Sequence, residues 1–446
     1  MPRPVGSGIT MLLAVVIVMA WAVFENMVQA QGVAPSAPAA VLDVLRRNAV
    51  AGDASAQHML GETYSKGIEV PKNEAEAIQW YRRAADQGHA EAQFSLGMIY
   101  TEGRGIPKDD AEAVKWFRKA AKQSHSGAEY RLAMACLLEA GTSRSMGEGL
   151  KWMRKSAERG NVEAQYSLGS ILAAGLADRP RNPADGAKWL RKAADQGHAV
   201  AQLELGQLHR NGLGVAQDDV AAFQWFRKAA EQGQAQAQYW LAVMLRNGRG
   251  VATSEVEAVQ WYRKSAEQGY GDAQVMLGVM YRDGSGVPKD EATAAAWCRK
   301  AAEKGNAVGQ YLLGVALLEG SGVPKDESEG FRWHLASAQL GHVNAQSSLG
   351  FLYLKGMGVA KDSLASSAWF DRAAKQGDVE AQYMLGMAYR DGIGVTRNHL
   401  VAYQWLLLAG AKREEYRKAV NEVEGLLTSE QRAAGQAFAR SFKPKP

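Results

Sequence analysis

A 36-residue pattern recurs ten times along this chain of 446 residues, and it constrains the fold more than any other feature of the sequence. Each copy carries a leucine followed by glycine or alanine, and then a tryptophan in the second half of the unit. The ten tryptophans are Trp80, Trp116, Trp152, Trp189, Trp225, Trp261, Trp297, Trp333, Trp369 and Trp405. Successive copies are 36 residues apart, with one spacing of 37 between Trp152 and Trp189. A fixed period of this length is typical of repeats that stack on one another and share a continuous core.

Each copy contains two helical patterns. The first has apolar or small residues four apart, as at Ala56, Leu60 and Tyr64, which indicates one buried helix face. The second begins with an Asn, Asp or Ser seven residues before each tryptophan, and these residue types cap helix N-termini. The predicted caps are Asn73, Asp109, Ser145, Asn182, Asp218, Ser254, Asp290, Asp326, Asp362 and Asn398. We therefore expect an all-α fold built from helix pairs.

Two glycine patterns support this interpretation. Glycine follows the leucine in eight copies, although glycine inside a helix costs about 1 kcal/mol relative to alanine, so its recurrence predicts close packing there. The turn between the helices often reads Gly-x-Gly-Val, as at residues 212–215. A dinucleotide-binding glycine loop follows a strand, whereas these glycines follow a helix. We interpret them as turn residues with left-handed backbone.

The N-terminal 30 residues differ in composition from the repeats. An apolar run at 9–24 precedes small residues at 28 and 30, which is the layout of a secretory signal peptide with its cleavage site. We therefore expect residues 1–30 to be a signal peptide and the chain to be periplasmic or secreted. The 16-residue run is short for a membrane span, which needs about 20 residues, but an uncleaved inner-membrane anchor at 9–24 is the alternative. Residues 31–40, rich in Pro and Ala, are interpreted as a linker.

The repeats occupy residues 53–410, and both ends of the array have their own segment. Residues 41–52 align with a second helix alone, so we expect an N-terminal capping helix there. Residues 411–446 lose the pattern and are interpreted as a C-terminal helical cap with a basic tail, because the last repeat of a solenoid needs a polar cover. Within this segment, Thr428 and Gln431 have the spacing of a capping box.

The repeat resembles the Sel1-like repeat family, a relative of the tetratricopeptide repeat. The residues that carry the resemblance are clearest in the seventh copy: Ala273-Gln274, Leu277-Gly278, Tyr281, Gly284, Gly286-Val287, Asp290, Trp297 and Arg299-Lys300-Ala301-Ala302. The resemblance implies an α/α solenoid, a right-handed superhelix of ten 36-residue helix-turn-helix repeats with helical end caps. It also implies a scaffold or adaptor, of the kind that bacteria often export to the cell envelope.

The charge distribution argues against a nucleic-acid partner. The chain has a net charge of +5, but residues 411–446 hold eight Lys/Arg and five Asp/Glu, so +3 belongs to that segment. The repeats are therefore close to neutral, whereas binding a phosphate backbone requires uncompensated cations.

No catalytic constellation stands out, and we expect no enzymatic activity, no cofactor and no metal. The chain contains no His-Glu-x-x-His motif, phosphate-binding loop or nucleophile elbow. Cys136 and Cys298 lie four and a half repeats apart in apolar positions, so we interpret both as core residues rather than a disulfide. Four histidines share the position that begins a first helix, where capping explains them better than metal binding. They are His89, His125, His198 and His342.

Charged side chains on the second helices allow two interpretations. An arginine row lies two residues after the tryptophans, and six of its seven members have an acidic residue four positions later, which predicts a salt-bridged solvent face. The alternative is an anion-binding row for an acidic polysaccharide. The row consists of Arg82, Arg118, Arg154, Arg191, Arg227, Arg263 and Arg299. Glutamates three residues after five caps predict capping boxes, at Glu76, Glu112, Glu148, Glu257 and Glu329.

The most informative departure from the pattern is Trp240, at a first-helix position where several other copies carry Ser, Arg or Glu. The next two copies are also apolar there, and all three carry valine one turn later. Because first helices line the concave surface in the family that the repeat resembles, we predict a partner-binding apolar strip. The apolar strip consists of Trp240, Val243, Met276, Val279, Leu312 and Val315. The alternative is tighter packing between neighbouring first helices.

The sequence therefore favours a non-enzymatic scaffold of the bacterial cell envelope that binds a protein segment on its concave surface. The alternative is a protein that binds envelope polysaccharide or peptidoglycan through the arginine row. Repeats three and four depart most from the pattern, and their differences fit either a specialised surface or drift.

Overall fold

The computed structural model describes residues 37–139, 145–175 and 180–444, and every regular element within these ranges is helical. The expected signal peptide and the first part of the expected linker lie outside the described residues. The described residues divide into two compact units, one ending at Gln196 and the other beginning at Gly197. In the described ranges, no helix combines the length and the apolar character that crossing a bilayer requires.

The described residues of the first unit form a single helix followed by four helix pairs. The single helix is α1 (Ala37–Val50). The first helices of the pairs are α2 (Ala54–Lys66), α4 (Ala90–Glu102), α6 (Ser126–Leu138) and α8 (Val162–Ala174). The second helices are α3 (Glu74–Asp86), α5 (Asp110–Lys122), α7 (Met146–Glu158) and α9 (Pro183–Asp195).

The second unit contains six helix pairs and a C-terminal segment. The first helices are α10 (Ala199–Asn211), α12 (Ala235–Asn247), α14 (Gly271–Asp283), α16 (Ala307–Glu319), α18 (Val343–Lys355) and α20 (Val379–Asp391). The second helices are α11 (Asp219–Glu231), α13 (Glu255–Glu267), α15 (Glu291–Glu303), α17 (Glu327–Gln339), α19 (Ser363–Lys375) and α21 (His399–Lys412). The C-terminal segment contains a 3-10 turn (Glu414–Tyr416), α22 (Arg417–Glu424) and α23 (Ser429–Ser441). The predicted all-α solenoid of paired helices is confirmed.

The second helices begin where the sequence predicts. All ten predicted caps accept a hydrogen bond from the backbone amide three residues later, as Asp326 does from the Glu329 amide over 2.8 Å. Each bond satisfies an amide that the first helical turn leaves without a carbonyl partner.

The reciprocal half of the predicted capping boxes is wrong for the second helices. Glu112 instead forms an ion pair with Lys115 at 2.8 Å, and Glu329 forms one with Arg299 at 2.8 Å. The cap amides donate to carbonyls of the first helix instead, as Asp109 does to Tyr100 at 3.0 Å and Asp326 does to Leu317 at 2.9 Å. The predicted box at Thr428 and Gln431 is present, with both hydrogen bonds formed.

The glycine after the repeat leucine permits close packing between the two helices of a pair. A Cβ atom added at Gly206 would lie 2.7 Å from Cε1 of Phe226, a separation that real Cβ atoms do not show. The ring of Phe226 is fully buried against this glycine. The turn glycines have the expected left-handed backbone, with φ of +66° at Gly212 and +73° at Gly214.

The N-terminal boundary differs from the sequence interpretation. Helix α1 begins at Ala37, within the segment interpreted as a linker, and ends at Val50. Alanine is the strongest helix former, and Pro38 stands in the first turn, where a missing amide hydrogen costs nothing. Ala49 is buried with Ala56 and Leu60 of α2, so α1 covers the first repeat.

The last repeat is covered by the C-terminal segment. Trp405 of α21 makes edge-to-face contacts with Phe438 and Phe442, at centroid distances of 5.6 and 5.7 Å. Val420 and Val423 of α22 join the core of the same repeat. These contacts bury the apolar face that α21 would otherwise expose.

Candidate partner-binding surface

All six residues of the apolar strip are half-buried. They lie on three first helices of the second unit, two each on α12, α14 and α16. Trp240, Val243 and Met276 pack against one core cluster, whereas Leu312 packs against another. Helices α14 and α16 contact each other. The strip therefore follows neighbouring first helices but rests on two parts of the core.

Trp240 is held by aromatic and cationic neighbours. The Arg210 guanidinium lies 3.7 Å from the centre of its ring, and Phe226 stacks at a centroid distance of 6.4 Å. Tyr239 makes an edge contact at 5.1 Å. Arg210 belongs to α10, the first helix before α12, so the ring links consecutive first helices. This packing accords with the alternative interpretation, although part of the ring remains exposed.

The indole nitrogen of Trp240 lacks a hydrogen-bond partner. Its Nε1 atom is buried and meets no acceptor within the described residues. Burial lowers the pKa of Arg210, and the nearby Arg249 lowers it further. Arg249 itself forms two hydrogen bonds with Asp219, at 3.0 and 2.8 Å. Arg210 and the Arg249–Asp219 pair thus occupy defined positions near Trp240 in the unbound chain.

The other half of the strip lines a cavity. Val279, Leu312 and Val315 form part of the wall of a space of about 340 Å³ between α14, α15 and α16. Its floor includes Ala295 and the thiol of Cys298. This volume lies near the lower end of the range that ligand pockets show, about 300–1,000 Å³. The sequence did not indicate the cavity.

Polar groups surround the mouth of this cavity. Arg282, Glu291, Glu319 and Ser321 lie on its rim. Arg282 forms an ion pair with its neighbour Asp283 at 2.8 Å, which raises the pKa of Arg282. The rim therefore carries both a neutralised cation and carboxylates that face the cavity.

Both cysteines are buried free thiols, as the sequence predicted. Burial raises the pKa of Cys298 to about 11, and burial also raises the pKa of Cys136. Neither thiol is therefore appreciably ionised at neutral pH, which makes both poor nucleophiles.

The four histidines that share a repeat position cap their helices, as predicted. In each, Nδ1 accepts a hydrogen bond from the amide three residues later, as His125 does from the Ala128 amide at 3.0 Å. Nε2 therefore carries the proton in the neutral ring. Across the described ranges, no three His, Cys, Asp or Glu side chains come together in a way that could hold a metal.

The arginine row follows the predicted pairing in part. Arg191 and Arg227 form the expected pairs four residues along the helix, at 3.3 and 3.0 Å. Arg82 instead donates to the Tyr100 hydroxyl at 2.8 Å, and Arg263 donates to the Tyr281 hydroxyl at 2.6 Å. Arginine reaches the next first helix because its side chain is long and its donors are forked. Arg82 and Arg263 thus link a second helix to the first helix of the next repeat.

A cation that we did not predict covers most of the tryptophans. A Lys or Arg three residues after the tryptophan lies over the ring, as Lys119 does over Trp116 at 3.7 Å. The same contact is found at Trp80, Trp152, Trp189, Trp225, Trp261, Trp297 and Trp369. Residues three apart share a helix face, so this spacing could have predicted the contact.

A second missed feature is a series of buried glutamine contacts between repeats. Gln238 of α12 donates from Nε2 to the Ala230 carbonyl at 3.2 Å and accepts from Gln268 at 2.8 Å. The donation to the preceding second helix also occurs at Gln57, Gln93, Gln165, Gln274, Gln310, Gln346 and Gln382. The signal was available, because a second glutamine often follows 30 residues later.

The glutamine contacts are incomplete in repeats seven and eight. The residue 30 positions after Gln274 is Lys304, and the residue 30 positions after Gln310 is Leu340. The Oε1 atoms of both glutamines are buried without a partner among the residues that the structure describes. A buried acceptor left unpaired costs free energy, so these two positions are locally destabilising.

Comparison with known proteins identifies the repeat. The model of the Sel1 repeat matches ten consecutive segments: 54–89, 90–125, 126–161, 162–198, 199–234, 235–270, 271–306, 307–342, 343–378 and 379–412. Together they cover well over half of the chain. No curated protein shows significant similarity to it.

Two solved structures are similar in both sequence and fold. A protective antigen from uropathogenic Escherichia coli, described as displaying an SLR fold, is 32% identical, with a TM-score of 0.66. That comparison covers 90% of this chain and 94% of the antigen. A Sel1 repeat protein from Oxalobacter formigenes is 34% identical, with a TM-score of 0.54, and covers 70% of this chain and 91% of its own.

Proposed function

Because the chain belongs to the Sel1-repeat family, whose members are generally protein-interaction scaffolds, we propose that it is an exported scaffold that binds a protein segment through the apolar strip. The family fold is typically non-enzymatic. The proposed partner therefore binds without being chemically changed.

One observation carries this proposal. Six apolar side chains on three neighbouring first helices remain half-buried, although the repeat pattern offers polar residues for the same position in other copies. Aromatic side chains at such sites contribute large contact area and few rotatable bonds, which makes them strong anchors for a partner. Trp240 is already fixed by Arg210 and Phe226, so its ordering costs little when a partner binds.

Affinity capture from a native envelope fraction tests the strip. We expect the wild-type chain to enrich one protein, and the double variant Trp240→Ala/Leu312→Ala to lose at least about 30-fold in affinity for it, the effect of removing a binding hot spot. The matched control is Met384→Ala, at the same repeat position and equally half-buried, but outside the strip.

Three outcomes are distinguishable in this experiment. Loss of the partner with the double variant, but not with the control, supports the proposal when both variants keep the helical content of the wild type. Equal capture by all three chains shows that the strip is only part of the core. Salt-sensitive binding to an acidic glycan that is indifferent to Trp240→Ala favours the polysaccharide alternative.

Export is a separate part of the proposal. It is supported by the apolar run at 9–24 and the cleavage-site residues at 28–30. Expression of the full chain in a bacterium, followed by cell fractionation and intact-mass measurement, tests it. Export with cleavage predicts a periplasmic or secreted chain that begins at Gln31. A full-length chain in the inner-membrane fraction favours the anchored alternative, and a full-length cytoplasmic chain contradicts export.

A further inference from the structure

The cavity between α14, α15 and α16, here called the repeat-seven cavity, lies where α15 carries two small side chains, Ala295 and Cys298. On each second helix, the residue one after the tryptophan packs on the first helix of the same repeat, as Phe226 does against Gly206. The residue two before the tryptophan faces the next repeat, as Phe331 does in its edge contact with Tyr353. These pairs are Ile78 and Tyr81, Val114 and Phe117, Leu150 and Met153, Ala187 and Leu190, Phe223 and Phe226, Val259 and Tyr262, Ala295 and Cys298, Phe331 and His334, Ser367 and Phe370, and Tyr403 and Leu406. Nine pairs include a side chain at least as large as leucine. The pair Ala295 and Cys298 does not.

The missing volume remains open on one side. Cys298 is 6% exposed and Ala295 is 3% exposed, so both lie at the bottom of the space. Val279, Leu312 and Val315 form its apolar wall. The recess has a volume of about 340 Å³ and opens to solvent.

One carboxylate of the rim, Glu319, forms no ion pair among the described residues, although it lies close enough to Arg282 to help raise the pKa of that guanidinium. Arg282 is paired with Asp283, and Glu291 is paired with Lys289 at 2.8 Å. In other repeats an arginine precedes the carboxylate at this position, as Arg282 precedes Asp283 and Arg390 precedes Asp391. In repeat eight, the residue before Glu319 is Leu318. The mouth of the cavity therefore has a residual negative charge.

We propose that the repeat-seven cavity is an anchor site for one large apolar side chain of a partner segment that carries a Lys or Arg next to that side chain. The apolar side chain would fill the volume that Tyr or Phe occupies in other repeats, against Val279, Leu312 and Val315. The neighbouring cation would pair with Glu319. This inference rests on the proposed function, since it takes the ligand to be a protein segment.

Binding of short blocked peptides tests this specificity directly. The probes are acetyl-Phe-Lys-amide, acetyl-Phe-Glu-amide and acetyl-Ala-Lys-amide, titrated to millimolar concentration against the full chain labelled at its Val and Leu methyl groups. We expect acetyl-Phe-Lys-amide to shift the methyl resonances of Val279, Leu312 and Val315 in a saturable manner. Acetyl-Ala-Lys-amide should not shift them, and acetyl-Phe-Glu-amide should bind about two- to fivefold more weakly, as expected for one exposed ion pair.

The repeat itself supplies a variant that closes the cavity. Cys298→Phe places in this slot the residue that Phe117, Phe226 and Phe370 provide elsewhere, so the fold has room for it. Ala295→Val, the residue found at Val114 and Val259, is a second and milder closure. Both variants should abolish the peptide-induced shifts. Leu190→Phe makes the equivalent change in the first unit and should leave them unchanged.

The rim has its own variant. Glu319→Gln should remove the preference for the Lys peptide over the Glu peptide while retaining the shifts. Shifts that persist in Cys298→Phe and Ala295→Val, or shifts absent from the wild type, would overturn the proposal. Wild-type capture of a partner that Cys298→Phe does not weaken would leave the scaffold function intact and refute this site. Peptide binding without any captured partner would support this site and contradict the scaffold function.

Discussion

Arg159 donates a hydrogen bond from Nε to Oε1 of Glu129 over 3.2 Å, at the position where other repeats join two glutamines. Glu129 is 1% exposed, so its charge is desolvated and depends on this partner. Both members of the pair differ from the glutamines of the repeat pattern, and Arg159 supplies the donor for Oε1 of Glu129, while Oε2 is buried without a partner among the described residues. This part of the departure in repeat three is a coordinated exchange of one polar contact for another.

The compensation predicts strong coupling between the two positions. Arg159→Gln alone should lower the free energy of unfolding by about 2–3 kcal/mol, because it weakens the hydrogen bonding of a buried carboxylate. The double variant Glu129→Gln/Arg159→Gln should recover most of this loss, since it recreates the glutamine contact. Urea unfolding of the two single variants and the double variant measures the coupling energy. Strictly additive changes would show that the pair is not coupled.

Completing the glutamine contact in repeat eight should stabilise the chain. Leu340→Gln offers a donor to the unpaired Oε1 of Gln310 and removes a leucine that is 60% exposed. We expect a gain of about 1 kcal/mol in the free energy of unfolding, the usual net value of one hydrogen bond. The control is Leu364→Gln, at a leucine that is 71% exposed and has no such acceptor nearby in the repeat pattern. Equal effects in the two variants would contradict the explanation.

The close packing at Gly206 can be tested against a glycine with free space. Gly206→Ala places a methyl group against the ring of Phe226 and should cost about 1–3 kcal/mol, more than the helix preference of alanine returns. Gly147→Ala, in α7, meets no atom within 4 Å and should be neutral or stabilising by up to about 1 kcal/mol. Thermal unfolding of both variants measures the difference. A stabilised Gly206→Ala would mean that the ring moves aside without cost.

The buried His334 predicts a pH dependence of stability. Burial lowers the pKa of His334, and the Gly330 carbonyl, 2.9 Å from Nδ1, offsets this in part. The unfolded chain therefore binds more protons than the folded chain just below pH 6.5, so the free energy of unfolding falls as the pH drops below about 6.5. His334→Phe should reduce this fall without abolishing it, because burial also lowers the pKa of His58 and His342. Unfolding between pH 7.5 and pH 5 measures the slope, and an unchanged slope would assign the dependence to other groups.

Much of the fold follows from short-range rules that a sequence displays directly. Period, caps and turn glycines depend on residues within one repeat, and Asp326, Gly206 and Gly212 all behave in the structure as the pattern predicts. Contacts between repeats are harder to predict. Arg82 and Arg263 bind tyrosine hydroxyls 18 residues away rather than the carboxylate four residues along the helix. Long side chains choose among several partners at similar cost, and spacing alone does not rank them.

The candidate surface shows the same division. Trp240 stands out in the sequence because it departs from the repeat pattern. Its contact with Arg210 can be predicted only when one knows which helices are neighbours. The repeat-seven cavity arises from what Ala295 and Cys298 lack relative to other copies. An apolar residue replaced by a smaller one remains apolar, so the hydrophobic pattern is unchanged and gives no sign of the lost volume.

The glutamine contacts also bear on how such a chain can change in length. A first-helix glutamine such as Gln238 finds its acceptor on the preceding second helix, at Ala230, so a repeat does not satisfy its own buried amide. Insertion or deletion of one whole 36-residue unit joins the glutamine of one copy to an equivalent acceptor in another and leaves no amide stranded. Deletion of half a unit would leave one glutamine side-chain amide without its carbonyl acceptor. Gene duplication in complete units is therefore the inexpensive way to lengthen this chain, and it allows the number of repeats to vary while the contacts between them stay the same.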